Sequence, residues 1–203
     1  MTQPLPSVKE EMQLSPADTI LSSASPAVSR PDLRKILIER RKAVALAQRQ
    51  AWDQRIHQKL LALPQLMQAS IIGVYSPIRC EPNLRDLYSN LHSAGKQLAL
   101  PVVIAKNRAL GFVSWAPGDA MEKDDFGVLI PARRDTFVQP GLLLIPCVGY
   151  NATHFRLGYG GGFYDRTLAE LPQAYSIGIA YQLASCEFAA EPFDLAMHCI
   201  VTE

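Results

Sequence analysis

Apolar and polar residues along the chain first keep a helical rhythm and then break into short strands, and that change of period organises everything downstream. Leu33, Ile36, Leu37, Val44 and Leu46 approximate a one-sided apolar stripe. Pro31 suits the first turn of a helix entered at Ser29 or Arg30. A second amphipathic helix is predicted over 51–63, ended by Pro64. From residue 70 the pattern is that of a sheet. The run 70–75 (SIIGVY) reads as a short buried strand, followed by a proline-containing loop through Glu81. A helix over 83–94 closes at Gly95, a strand follows over 97–104, and the alternation at 110–115 pairs as another. Residues 118–139 are loop-rich. The run 141–146 (GLLLIP) is the most apolar in the chain and is expected to be a central strand, buried on both faces. A helix over 163–171 and strands over 176–181 and 199–201 complete the pattern. Helices alternating with short buried strands predict an α/β protein: a three-layer α/β/α sandwich around a mostly parallel sheet, as a single domain over 30–203.

The first 29 residues have a different character. Pro4, Pro6, Pro16 and Pro26 stand among six serines, and no aromatic residue precedes Trp52. Such a segment has little to bury and is expected to be a disordered tail. Glu10 and Glu11, with no basic start and no continuous apolar run, exclude a secretory signal or a transit peptide.

Composition narrows the class. The 203 residues suffice for one sizeable core. A net charge of +1 gives no global attraction to nucleic acid or membrane, and no apolar run approaches the roughly 20 residues of a membrane helix. Cys80, Cys147, Cys186 and Cys199 form no CxxC and no zinc spacing, which fits free thiols in a cytoplasmic protein. The charge is unevenly placed: residues 30–49 carry seven basic and two acidic side chains, a local +5 against −4 for everything outside. A charge run of this kind is either a solvated helix face or one turned toward an anion.

One segment carries the chemistry: RLGYGGGFYDR, from Arg156 to Arg166, with four of the twelve glycines between 158 and 162. A glycine-rich turn entering a helix lets backbone N–H groups approach an anion, and the helix N-terminus favours negative charge. Arg156 offers a phosphate contact, and Asp165 a possible magnesium ligand. A flexible connection needing positive φ explains the same glycines. The segment is neither GxxxxGK[ST] nor GxGxxG, so a bound nucleotide needs a cation from elsewhere, and the helix at 30–49 is the evident donor.

These residues carry a resemblance. RLGYGGGFYDR, preceded by LLLIP, is similar to the signature of the 5-formyltetrahydrofolate cyclo-ligase (methenyltetrahydrofolate synthetase) family. Leu33 and Arg34 with Arg40 and Arg41 downstream, YSPIRCE, AGKQLALP, FVSWAPGD and EPFDLAMHCIVTE agree in order and spacing over residues 30–203. The resemblance implies an enzyme that uses ATP and Mg2+ to convert 5-formyltetrahydrofolate into 5,10-methenyltetrahydrofolate, releasing ADP and phosphate. It implies ATP contacts at Arg30, Pro31, Asp32, Leu33 and Arg34, and again at Arg156, Leu157, Gly158, Tyr159, Gly160, Gly161, Gly162, Phe163 and Tyr164. Arg34, Ser76, Glu81 and Tyr159, Gly160, Gly161, Gly162 and Phe163 are the implied folate contacts. Arg34 and Arg156 are the implied catalytic cations, and Asp165 and Asp194 match acidic positions associated with magnesium.

The chain departs from the family pattern at several points. Cys80 stands where Gly usually precedes the glutamate, and Asn83 replaces an Asp two residues after it. The loop before Arg156 commonly reads D-x-x-G-x-R, but here Asn151, His154 and Phe155 occupy it. Tyr159 stands where a basic residue sometimes lies, and Arg30 where Lys is frequent. His57, His92, His154 and His198 are scattered, Cys80 has no base partner, Tyr75 and Trp115 read as core, and Lys96 as a helix-end cation, so none enters the site. The implied partners are small molecules, with no nucleic acid or membrane, and a monomer is expected. The alternatives are a non-catalytic folate- or nucleotide-binding module on the same fold, or a phosphotransferase acting on another small substrate.

Overall fold

The computed structural model describes residues 28–203, so the disordered tail expected over the first 29 residues falls almost entirely outside the described residues. Helix α1 spans Arg30–Ala43, with Ser29 as its N-cap accepting from the Asp32 N–H and Pro31 in the first turn, as the sequence predicts. Its buried face differs from the predicted stripe. Leu37, Ile38 and Arg41 turn inward, while Ile36 is exposed and Leu46, 62% exposed, begins the next helix. Helix α2 runs Leu46–Leu61, starting five residues earlier than predicted, and Pro64 opens a short helix α3 (Pro64–Gln68) rather than only ending α2. Proline's fixed φ suits a first turn as well as a stop, so one residue gives both signals.

The sheet contains β1 (Ile71–Gly73), β2 (Gln97–Val103), β3 (Leu110–Trp115), β6 (Leu142–Pro146), β9 (Tyr175–Ile179) and β10 (Cys199–Val201) in the order β10-β9-β6-β1-β2-β3. Five strands are parallel, and β3 lies antiparallel at the edge against β2. Helix α4 (Arg85–Ser93) packs with α2 and α3 on one face through Leu87, Tyr88, Leu91, Ile56, Leu60 and Leu66. Helix α5 (Phe163–Glu170) covers the other face, where Leu168 joins Leu143, Ile145 and Phe112. This is the three-layer arrangement expected. Two small hairpins lie outside the sheet: β4 (Met121–Lys123) with β5 (Leu129–Pro131), inside the segment read as loop, and β7 (Gly149–Tyr150) with β8 (Arg156–Leu157). Strands of two or three residues are too short to show an alternating pattern.

The strand order fixes where a ligand can sit. From β1 the chain moves to β2 on one side, while β6, its other neighbour, leads on to β9 and β10. The order reverses between β1 and β6, and the crevice beyond the carboxyl ends of these strands is the place where open α/β sheets bind ligands. Gly73 lies on β1 beside it, where an added Cβ would meet Leu143 Cδ2 at 2.5 Å and the Phe112 ring at 2.9 Å. Gly73→Ala is therefore expected to destabilise the protein by about 1–3 kcal/mol through overpacking, read by chemical denaturation. An unchanged midpoint would mean that the two side chains yield freely.

Candidate active site

Three loops meet at the switch point: 74–82 after β1, the β7–β8 hairpin after β6, and the glycine-rich turn that enters α5. Gly160 (φ 94) and Gly162 (φ 64) adopt left-handed backbone, which explains the glycine at these two positions. Gly162 is the N-cap of α5 and offers no side chain to its first-turn N–H groups. Those donors are left for solvent or an anion.

Helix α1 lies across the turn and brings its cations to it. Arg34 donates from Nε to the Gly158 carbonyl at 2.8 Å and has no carboxylate partner among the described residues. Arg30 pairs with Asp194, and with Glu191 at 3.0 Å, and stacks over the Phe188 ring. Asp32 and Pro31 are exposed at the start of the helix, and Leu33 packs partly against Leu37, Ile38, Val148 and Leu157. Arg156, expected to offer a phosphate contact, instead lies beneath the turn: its side chain is 4% exposed and forms a bidentate pair with Asp165 at 2.9 and 3.0 Å. It starts in β8 and Asp165 sits in the first turn of α5, so the pair staples the two arms of the glycine turn. The Nε atoms of both Arg30 and Arg156 are buried without a partner.

The two acids proposed for magnesium are thus each engaged by an arginine. Asp165 uses both oxygens on Arg156, while Asp194 takes Arg30 and the Glu191 N–H. No group of three or more His, Cys, Asp or Glu side chains is gathered for a metal among the described residues.

Glu81 is not a surface residue; it is 3% exposed. Its Oε1 accepts from the Tyr159 hydroxyl at 2.6 Å and its Oε2 from the Ile78 N–H at 2.9 Å. Burial raises the pKa of this carboxyl, against the opposing pull of these hydrogen bonds and of Arg41 and Arg79. The structure therefore joins Glu81 to Tyr159, two residues singled out 78 positions apart. Ser76, half-buried on the same loop, lines a cavity of about 280 Å³ with Tyr75, Arg85, Tyr88, Trp115 and Met121. The Trp115 Nε1 is buried without an acceptor. Arg41 donates to Tyr159 and is buried, which a basic residue within a charge run does not signal in the sequence.

Two departures from the family pattern acquire a physical meaning. Cys80 (φ 62) and His154 (φ 63) occupy left-handed backbone, where glycine is unstrained. Asn151 compensates in its hairpin, its Oδ1 accepting from the Thr153 and Phe155 N–H groups and its Nδ2 donating to the Phe188 carbonyl. His198 packs on Tyr175 and accepts from the Ser176 N–H, a structural role.

Comparison with known proteins gives one answer. Residues 26–203 match the sequence profile of the 5-formyltetrahydrofolate cyclo-ligase family. The Mycoplasma pneumoniae 5-formyltetrahydrofolate cyclo-ligase is 31% identical over 173 residues, covering 84% of this chain and 96% of the relative. The Haemophilus influenzae 5-formyltetrahydrofolate cyclo-ligase is 33% identical over 166 residues, covering 78% and 86%. A solved structure of a 5,10-methenyltetrahydrofolate synthetase from Mycoplasma pneumoniae aligns with a TM-score of 0.72 at 26% identity, covering 86% of this chain and 99% of that one. The Aquifex aeolicus 5,10-methenyltetrahydrofolate synthetase, at TM-score 0.72 and 23% identity over 85% and 88%, speaks for the fold alone.

Asp165→Asn should remove the counter-charge of a buried guanidinium and destabilise the protein by about 1.5–3 kcal/mol, measured by urea denaturation without ligands. Cys80→Gly should act in the opposite direction and stabilise by about 1 kcal/mol, by relieving a left-handed side-chain clash. A destabilised Cys80→Gly would show that the thiol's packing outweighs the strain.

Proposed function

The chain belongs to the 5-formyltetrahydrofolate cyclo-ligase family, and on that premise we propose how its residues share the work of converting 5-formyltetrahydrofolate to 5,10-methenyltetrahydrofolate at the expense of ATP, with release of ADP and phosphate. The observation that carries the assignment is the meeting, at one switch point, of an anion-ready glycine turn under Arg34 with the buried Glu81–Tyr159 pair. The first suits a triphosphate and the second a pterin. The curated relatives carry an enzyme's name, which favours this reading over a non-catalytic binding module.

The phosphates of ATP lie on the backbone of Gly158, Gly160, Gly161 and Gly162 and the N-terminus of α5, with Arg34 neutralising developing charge and Arg30 and the first turn of α1 closing the nucleotide side. Arg156 and Asp165 hold the turn in shape. Mg2+ bound with the nucleotide would be held by acidic side chains of this chain together with the phosphates. Two hard carboxylates suit its preference for one or two protein oxygens completed by phosphate and water, and Asp165 and Asp194 are the candidates. When bound, it offsets phosphate charge. Glu81 accepts from the pterin edge, which offers an amino group and a ring N–H. The cavity beside Ser76, with aromatic walls and Arg85, suits the p-aminobenzoyl-glutamate portion.

In the reaction the formyl oxygen takes the γ-phosphoryl group and ADP leaves. N10 then attacks the formyl carbon, its proton passes to the departing phosphate, and the carbon–oxygen bond breaks. The protein's part is positioning and charge neutralisation rather than covalent catalysis. The free thiols support a reducing compartment such as the cytoplasm, and no helix among the described residues is long and apolar enough to cross a membrane.

Incubation with ATP, Mg2+ and 5-formyltetrahydrofolate should produce the near-ultraviolet absorbance of the methenyl product, with one ADP per product. No product from folded enzyme would contradict the reading. Arg34→Ala should lower kcat/KM at least tenfold, about 1.4 kcal/mol of transition-state stabilisation, with no more loss of thermal stability than its one bond to the Gly158 carbonyl accounts for. Asp165→Asn should raise the Mg2+ concentration needed for half-maximal rate; a titration that overlays wild type would leave Asp165 a purely structural counter-ion.

A further inference from the structure

Arg41 sits on the inward face of α1 beside Leu37 and Ile38 and is 2% exposed. Its guanidinium donates from Nε to the Arg79 carbonyl at 3.0 Å, from Nη1 to the Cys147 carbonyl at 3.3 Å, and from Nη2 to the Tyr159 hydroxyl at 2.8 Å. Tyr159 in turn donates to Glu81. One side chain therefore ties together the loop after β1, the end of β6 and the glycine-rich turn.

We propose that Arg41 is a positioning residue for the folate half of the site, holding the Tyr159 hydroxyl and, through it, the Glu81 carboxylate in the arrangement that receives the pterin. The proposal rests on the reading of Glu81 as a folate contact.

Two observations support it. A guanidinium in the interior loses several kcal/mol of solvation, and none of Arg41's direct partners is a carboxylate. Its counter-charge is Glu81, one hydroxyl away. An apolar side chain would pack against Leu37 at less expense, so the cation's distinctive contribution is what it holds.

The second observation is the electrical surroundings of Glu81. Tyr75 on the loop after β1, Tyr88 on α4, Tyr164 on α5 and Tyr159 on the turn are phenols whose pKa values burial raises. Burial pushes the Cys147 thiol, at the end of β6, up to about 12. All five are neutral near pH 7. The charged neighbours are Arg79, exposed on Glu81's own loop and lying over the Tyr159 ring, and Arg41. Arg41 is thus the buried charge that opposes the desolvation of Glu81. Without it, protonation of Glu81 moves to higher pH and turns an acceptor oxygen into a donor.

The test compares wild type, Arg41→Met, Arg41→Lys and Glu81→Gln. Calorimetry gives the Kd of 5-formyltetrahydrofolate from pH 5.5 to 8.5, and the Kd of ATP without folate. Arg41→Met is expected to weaken folate binding about tenfold at the acid end, with the deficit shrinking as pH rises, while ATP affinity stays within about twofold. Arg41→Lys should recover part of the loss, since it keeps the charge but not the three-way geometry. A deficit independent of pH, or an equal loss for ATP, would make Arg41 a packing residue and overturn the proposal. If Arg41→Met does not fold, Tyr159→Phe cuts the same connection and should show the same pH-dependent loss; wild-type folate affinity at every pH would overturn it. Folate affinity that survives Glu81→Gln would overturn the site reading and the proposal together. A loss with Glu81→Gln but not with Arg41→Met would overturn the proposal alone.

Discussion

The attachment of α1 to the carboxyl ends of the central strands is the constraint on which the rest depends, and it is made largely by arginines. The helix buries only Leu37 and Ile38 as apolar residues, with Leu33 partly covered. Each of its contacting arginines reaches a different part of the chain. Arg30 reaches Asp194 near the C-terminus, Arg34 the backbone of the glycine turn, and Arg41 both central loops and Tyr159. A polar attachment of this kind is specific in a way an apolar stripe is not, because every donor must find its acceptor. It also leaves the Arg34 guanidinium beside the glycine-rich turn.

The sheet supplies the other half of the geometry. Its strand order reverses between β1 and β6, so loops from two directions converge on one crevice. The loop after β1 contributes Ser76 and Glu81; the chain after β6 contributes Arg156, the glycines and Asp165. In the proposed arrangement two substrates with opposite needs lie side by side, one on backbone donors and cations, the other against a buried carboxylate. Phosphoryl transfer between them needs alignment above all.

Much of this was legible in the amino-acid order. The buried run LLLIP, the glycine-rich turn and the capped start of α1 each announce themselves through local chemistry, and the α/β class follows from their alternation. The short hairpins β4–β5 and β7–β8 were not legible, because two- or three-residue strands have no period. The start of α2 was missed because Leu46, an apolar residue, lies exposed. At the site, residue types and motif spacing pointed to Arg156 and Asp165 and the family resemblance to Arg34 and Glu81, but neither pointed to their pairings. That Arg156 faces Asp165 rather than solvent, and that Arg41 alone of the charge run is fully buried, depends on tertiary packing that no local pattern encodes. The strained Cys80 and His154 were visible as departures from the family's glycines, and their left-handed backbone gives the reason glycine is favoured there.

In the proposed reaction ATP is consumed to carry the formyl oxygen away as phosphate, on a site that positions rather than attacks. The most direct test labels the formyl oxygen of 5-formyltetrahydrofolate with 18O, runs one turnover in unlabelled water, and reads the released phosphate by mass spectrometry. The account predicts one 18O in each phosphate formed. Unlabelled phosphate, with the label lost to water, would mean that the oxygen departs by hydrolysis or dehydration, and would contradict it.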